Sequence, residues 1–542
     1  MAPRQTKNND FLIQGSILAI AGILVRVIGM IYRIPFIRIV GDEGNGYYSV
    51  AFEIYNIVLL ISSYAFPTAI SKLISARIAK DDYENAHRTF KVGMILATVI
   101  GAAACAFVLI TAGWFADSFF MLPLCRYAIL SLAPTVWIMA YLGVMRGFFQ
   151  GQSTMVPTAI SQILEQVLNA FVSVGAAWYF YSSVLRSVQD ESMAAAKGAM
   201  GGTIGTGAGA LTALIVLIIL YFRRRSDWKA KLEISDISGE AVLDNREIGK
   251  IIILTLIPIV LSQVVYNINV IIDSRIFSAA MIGYFGFDAP EVAKLYGSFT
   301  GRFKTLINVP VAISNALGLS LIPALSAAVA ANDKNAVQSG IANAMKYIAI
   351  ISMPAAIGLT VLGGPIVTLL FGKSDVASNM MLIGSFAVLF TSISTVTNSV
   401  LQGSNNLNKP VIHSIISLII HIASLIFMLY VLKLGVYSLV ISNIVFGLSM
   451  TILNAISIRR KLGYRQEFVQ TFIKPFFCAL VMGAAAYGVR FAIETFITKS
   501  SLVVTAVCVL AAVIVYAAMI LVTKTLSKEE LKRFPVIKKF IR

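Results

Sequence analysis

The chain has 542 residues, of which 58% are hydrophobic and 13% charged, whereas soluble proteins average near 45–50% apolar and about 25% charged. A mean hydropathy of +0.82 excludes a globular domain on a single anchor and points to an all-α polytopic membrane protein. The net charge of +18 reads as cytoplasmic loop charge, not as a nucleic-acid footprint.

Residues 1–10 are polar, and the apolar run behind them is too long for a signal-peptide core, so it is expected to remain as the first transmembrane helix. That run, 11–40, carries Arg26 and Arg33 in its interior. An arginine at mid-bilayer costs from about 3 to well over 10 kcal/mol, depending on the measure. The two are seven residues apart, two helical turns, so they share a face. That face must look into protein or a water-filled cavity, and a cavity lined by guanidinium groups selects an anion. Pro35 removes a backbone hydrogen bond and is expected to break or bend the helix beside this face. Arg38 stands near the outer end, where snorkelling accounts for it as well as binding does. For Arg26 the competing reading is a structural ion pair, with Glu53 as the partner.

Further apolar runs follow at 47–74, 90–116, 126–149, 156–182, 198–222, 249–276, 299–329, 341–371, 377–402, 410–432, 434–457, 471–493 and 501–524, making fourteen expected spans. Glu53 in the second, Glu165 in the fifth and Asp273 in the seventh are buried acids that either balance an arginine or couple a proton or cation. Arg275 lies two residues past Asp273, about 200° around a helix, and marks the outer end. The glycines between Gly198 and Gly209 fall inside a span, and their four-residue spacing is that of close helix packing. Arg302 and Lys304 open the eighth span, where they either complete an anion site with Arg26 and Arg33 or anchor at the interface. His413 and His421 share a span and read as packing or cavity residues. Gly372-Lys373-Ser374 lacks the earlier glycine of a phosphate-binding loop, since Val367 stands there. The four cysteines show neither metal spacing nor a disulfide framework. No catalytic set, metal pattern or cofactor motif emerges, so a non-enzyme without cofactor or metal is expected, driven by a Na+ or H+ gradient or by the membrane potential.

The loops after even-numbered spans and both termini hold most of the Lys and Arg, which places them in the cytoplasm. Two stretches recur. Ser75–Asp82 matches Ser326–Asp333, and the segment from Phe148 matches that from Val400, so that Asp82 pairs with Asp333 and Gly151 with Gly403, 251 and 252 positions apart. Six spans separate the copies, and an even number preserves orientation, so these are parallel repeats. The expected architecture is an N-terminal lobe of six spans (1–222), a charged cytoplasmic linker (223–248), a second six-span lobe (249–460), and spans 13 and 14 with a basic tail (461–542).

The stretch Gly22–Ala79 resembles the stage V sporulation protein B-like polysaccharide transporters of the multidrug/oligosaccharidyl-lipid/polysaccharide exporter superfamily, which includes the MurJ-type lipid II flippases. Arg26-Val-Ile-Gly29, Tyr32-Arg33-Ile-Pro35, Gly41-Asp-Glu-Gly44 and Phe66-Pro-Thr-Ala-Ile-Ser-Lys72 carry the resemblance, and Leu321-Ile-Pro-Ala-Leu-Ser326 echoes it. It implies a plasma-membrane flippase for an undecaprenyl-diphosphate-linked cell-wall sugar, with the diphosphate on cavity arginines. Arg26 matches the family's first-helix arginine and Arg302 a second-lobe one. Arg33 sits one position off the second arginine of the Gram-negative flippases, and no arginine stands near Leu59 where they carry one. Spans 13 and 14 would form a groove for the lipid tail. Two alternatives are weighed against this reading. A cation-coupled multidrug antiporter would use Glu53 and Asp273 as coupling acids, against the repulsion of the arginines. A membrane glycosyltransferase or polymerase would need carboxylate or histidine clusters that the short loops lack.

Overall fold

The computed structural model describes residues 4–224, 226, 228, 243–498 and 500–526. Most of the expected linker at 223–248 and the basic tail beyond Leu526 lie outside the described residues. Among the described residues every regular element is a helix. The chain divides into two compact units, Met1–Gly297 and Ser298–Arg542.

The first unit contains α1 (Arg4–Ser62), α2 (Phe66–Ile78), α3 (Tyr83–Trp114), α4 (Arg126–Gly151), α5 (Val156–Ser187), α6 (Glu191–Arg223), α7 (Asn245–Ser278) and α8 (Ala289–Gly297). α1 is two arms. Its 59 residues are interrupted at Gly41, whose φ of 69° and ψ of −177° belong to a region open essentially only to glycine. In a straight helix Arg33 and Tyr48 would be about 22 Å apart along the axis. Instead the Arg33 guanidinium lies 5.8 Å from the Tyr48 ring centre, and Phe36 meets the same ring at 4.9 Å. The first arm therefore folds back on the second. The break falls at Gly41 and not at Pro35, which remains inside helical backbone: a helix absorbs a proline with one lost hydrogen bond, but not a residue of that φ/ψ.

The glycines of α6 pack as their spacing requires. A Cβ on Gly201, Gly205 or Gly209 would come within 2.5, 2.1 or 2.4 Å of α5 atoms, so α5 and α6 touch through backbone. The short α8 seats against the second arm of α1, where Asn45 Nδ2 donates to the Gly297 carbonyl at 2.8 Å. Phe66, Ile70 and Ile74 of α2, Phe90 of α3, and Phe148 and Phe149 of α4 form the buried core at one end of this unit.

The second unit contains α9 (Lys304–Ala330), α10 (Lys334–Phe371), α11 (Asp375–Gly384), α12 (Phe386–Gly403), α13 (Asn408–Ile426), α14 (Tyr437–Leu462), α15 (Lys474–Phe496) and α16 (Ser501–Val522). Ile341 and Met345 of α10, Ile393 and Val396 of α12, and Ile458 of α14 share one buried cluster. α10, α15 and α16 share another, through Met353, Met482 and Cys508.

The two pairs of matched stretches share local backbone features. Asp82 caps α3 by accepting from Asn85 N at 3.1 Å, and Asp333 caps α10 by accepting from Ala336 N at 2.9 Å. The residue before each cap is left-handed, Asp81 at φ 58° and Asn332 at φ 53°. Ser153 and Asn405, after α4 and α12, are left-handed at 59° and 62°. Gly151 packs on Ile74, and Gly403 on Leu325.

Eleven helical stretches among the described residues are long and apolar enough to cross a membrane, or twelve when α11 and α12, bent by 50°, count as one span. The fourteen expected crossings are not matched one for one. Runs 11–40 and 47–74 fall in one stretch, Ile20–Ile78, and run 249–276 falls in α7, which is not among the eleven. The chain is a multi-pass α-helical membrane protein.

Candidate transport site

The second arm of α1 carries Glu53 into the interior, where it is 6% exposed. α7 brings Ser274 to it, and Ser274 Oγ donates to Glu53 Oε2 at 2.5 Å. α8 brings Tyr296, whose hydroxyl donates to Glu53 Oε1. Both carboxylate oxygens thus accept hydrogen bonds, which offsets the desolvation of a buried charge. Asp273, beside Ser274 on α7, is 1% exposed, so two of the three acids read in the sequence are buried in this unit.

Glu53 also lines a cleft of about 520 Å³ in the first unit. Asn56, Tyr64, Thr68 and Asn267 share its wall and are exposed in it. Two carboxamides, two hydroxyls and a carboxylate make it a hydrogen-bonding cleft among helices that otherwise present aliphatic side chains.

Glu165, the third acid, has a different setting. Arg146 Nη2 donates to Glu165 Oε2 at 2.5 Å, and Arg146 Nε donates to Ser161 Oγ at 3.1 Å. Arg146 is 8% exposed, so it is a buried partner of Glu165.

Arg26 is exposed on the first arm of α1, and among the described residues it makes no ion pair; the pair with Glu53 is not formed. Arg33 is half-buried and lies over the Tyr48 ring, while Tyr32 and Tyr48 approach hydroxyl to hydroxyl at 3.3 Å. The wall of the polar cleft includes neither arginine. Arg302 is 7% exposed, and its Nη1 donates to the Gly372 carbonyl at 2.7 Å, at the C-terminus of α10, where a cation meets the helix dipole. Lys304 lies 4.7 Å from the Phe299 ring centre, and Arg275 lies 5.6 Å from that of Phe119.

His413 and His421 are packing residues. His413 Nδ1 meets Asn454 Oδ1 at 2.7 Å, so that nitrogen carries the proton and Nε2 accepts from Ser457 Oγ at 3.0 Å. His421 Nδ1 donates to the Ser442 carbonyl at 2.8 Å. Among the described residues no group of three or more His, Cys, Asp or Glu could hold a metal ion.

In the second unit α9, α10 and α16 enclose an apolar groove of about 940 Å³, with Met482 of α15 on its wall. Leu306 and Ile313, Ile351 and Leu359, and Val509 and Tyr516 are among its lining. It runs from Val509 to Leu521 along α16, about 18 Å at the helical rise.

A bundle of apolar helices that buries a carboxylate beside a polar cleft and keeps on a spanning helix an arginine without an ion-pair partner among the described residues is built as a membrane carrier. The chain belongs to the polysaccharide biosynthesis protein family, whose model matches residues 12–329, and a second polysaccharide biosynthesis protein model matches residues 297–377. Stage V sporulation protein B of Bacillus subtilis (strain 168) is 24% identical over 529 residues, covering 97% of this chain and 98% of that one. Lipid II flippase MurJ of the same organism is 26% identical over 428 residues, 76% of each chain. Among solved structures, the inward closed conformation of lipid II flippase MurJ covers 93% of this chain and 97% of its own, with a TM-score of 0.66 at 14% identity. An inward-facing multidrug resistance MATE family transporter of the MOP superfamily covers 84% and 98%, with a TM-score of 0.65 at 16% identity. The fold is thus that of this transporter superfamily. The matched lipid II flippase and MATE family transporter are transporters and not enzymes, which leaves the glycosyltransferase or polymerase alternative without support.

Proposed function

We propose that this chain is a flippase that exports an undecaprenyl-diphosphate-linked cell-wall sugar precursor, lipid II or a related polysaccharide intermediate, across the plasma membrane by alternating access. The observation that carries the reading is Arg26: an exposed guanidinium without an ion-pair partner among the described residues, inside a helix that must cross lipid. A diphosphate is the partner that such a group is suited to hold. Arg33 and Arg302 are the further candidates for the diphosphate, and the apolar groove walled by α16 suits a polyprenyl tail. The likeness to lipid II flippase MurJ and to stage V sporulation protein B supports the substrate class. Both termini and the Lys- and Arg-rich loops are assigned to the cytoplasm on charge, with six-span lobes at 1–222 and 249–460. Reconstitution into vesicles loaded with a fluorescent undecaprenyl-diphosphate sugar tests the reading. Wild type delivers the sugar to the opposite leaflet and Arg26→Ala does not, and full activity in both Arg26→Ala and Arg33→Ala sinks it.

A second reading, a cation-coupled multidrug antiporter, is favoured by one observation, the Glu53 carboxylate at the wall of a polar cleft. In the flippase reading the same group, with Asp273, couples Na+, H+ or the membrane potential to transport, while Glu165 balances Arg146. Efflux of a cationic dye by purified protein, abolished in Glu53→Gln, would favour the antiporter.

A further inference from the structure

We propose that the turn between α14 and α15 forms a binding site for an anionic glycerophospholipid, with the phosphate on Arg459 and Arg465 and the upper acyl chain in the cavity behind them. The cavity holds about 460 Å³ within the second unit. Its floor is apolar and closed: Ile341, Met345, Ile393 and Ile458 line it and are each at most 6% exposed. Arg459 and Arg465 line it as well and are exposed, so the guanidinium groups stand at the rim.

The turn is built, not slack. Gly463 ends α14 in the left-handed region at φ 64°. Tyr464, 9% exposed, donates to Gln466 Oε1 at 3.3 Å, and Gln466 Nε2 donates to the Glu467 carbonyl at 2.8 Å. Burial, and then Glu467, push the Tyr464 phenol above its ordinary range, so it stays a donor. Glu467 is the one acid in the turn, and its carboxylate is already engaged. It accepts from Gln470 N at 2.9 and 2.8 Å and from Thr471 N at 3.1 Å, closing the start of the next helical segment. Among the described residues neither arginine has an ion-pair partner.

The chemistry selects the ligand. A free phosphate would satisfy the arginines and leave the apolar floor unused, and a neutral lipid would do the reverse. An anionic lipid satisfies both. Phe468, 64% exposed, and Ile456, 43% exposed, line the same cavity and lead from it to the apolar surface that a lipid would approach along. Arg460 and Lys461 extend the basic run, and a basic pocket between helices on the cytoplasmic side is a recurrent site for anionic headgroups. The proposal uses the orientation read from charge and is independent of what the protein transports.

The test is lipid retention. Full-length protein is purified from nanodiscs of equal phosphatidylglycerol and phosphatidylcholine, and bound lipids are counted by native mass spectrometry. Wild type should keep a phosphatidylglycerol that Arg459→Gln/Arg465→Gln binds at least about tenfold more weakly, a change of about 1.4 kcal/mol. Arg460→Gln, off the cavity, should keep it. Met345→Trp, which fills the floor and leaves both arginines, should lose it, with a melting curve to confirm that each variant is folded. Unchanged retention in the folded double variant overturns the site, as does equal retention of phosphatidylcholine. Displacement by millimolar inorganic phosphate would overturn it in favour of a free-anion site. Displacement by a stoichiometric lipid-linked sugar diphosphate would overturn it in favour of a substrate site.

Discussion

Tyr296 donates a hydrogen bond to Glu53 across 243 positions of sequence. It ties the short α8 to the second arm of α1, and with Ser274 it leaves the buried carboxylate with a donor on each oxygen. Tyr296→Phe removes one donor and keeps the ring. The expected result is a stability loss of about 1.5–3 kcal/mol, the usual worth of a hydrogen bond to a charged group. Thermal or chaotrope unfolding of the purified protein in one detergent checks it, and an unchanged midpoint would show that the bond contributes nothing net.

Glu53→Gln should separate function from folding. The amide keeps one acceptor for Ser274 or Tyr296 while losing the charge, so the melting midpoint should move less than in Tyr296→Phe. Transport driven by an imposed Na+ or H+ gradient should fall at least about tenfold, since about 1.4 kcal/mol of coupling is a factor of ten. Gradient dependence measured in both variants decides whether Glu53 couples or merely packs.

Arg146 and Glu165 should behave as a pair. Either single alanine substitution leaves a partly buried charge without its counter-ion and is expected to cost about 3 kcal/mol, while the double substitution should recover part of that loss. A double-mutant cycle on unfolding free energies reads the coupling, and strictly additive losses would mean that the 2.5 Å contact has no net energetic weight.

Gly41→Ala forces a Cβ onto a backbone conformation that costs of order 1–3 kcal/mol for any other residue. No atom stands within 4 Å of the added carbon, so the penalty is conformational and not steric crowding by neighbours. The expected outcome is loss of the Arg33–Tyr48 approach, read as a change in distance between spin labels placed on the two arms of α1.

How much of this was legible in the sequence depends on the kind of signal. Apolar runs announced the helices, because lipid imposes composition on every spanning residue, and the 251-residue spacing picked out Asp82 and Asp333, which cap their helices in the same way. Glu53 and Asp273 stood out as acids where acids are expensive. Ser274 and Tyr296 did not, since a hydroxyl on an apolar helix usually bonds its own backbone, as Ser274 also does with Val270. The Arg146–Glu165 pair did not stand out, because a basic residue near the end of an apolar run has the same local sequence whether it faces headgroups or a buried acid on the next helix. The break in α1 was sought at Pro35, the stronger helix breaker in isolation. Gly41 took that place because only its backbone tolerates the reversal, and a glycine among Asp, Glu and Asn reads equally as an ordinary loop.

The paired corners differ in the charge of the helices that lead to them. The spacing that lays Asp82 on Asp333 lays Glu53 on Lys304, so the same register holds an acid in one copy and a base in the other. The matched turns share cap and backbone geometry, while the helices beside them carry opposite charge at this register.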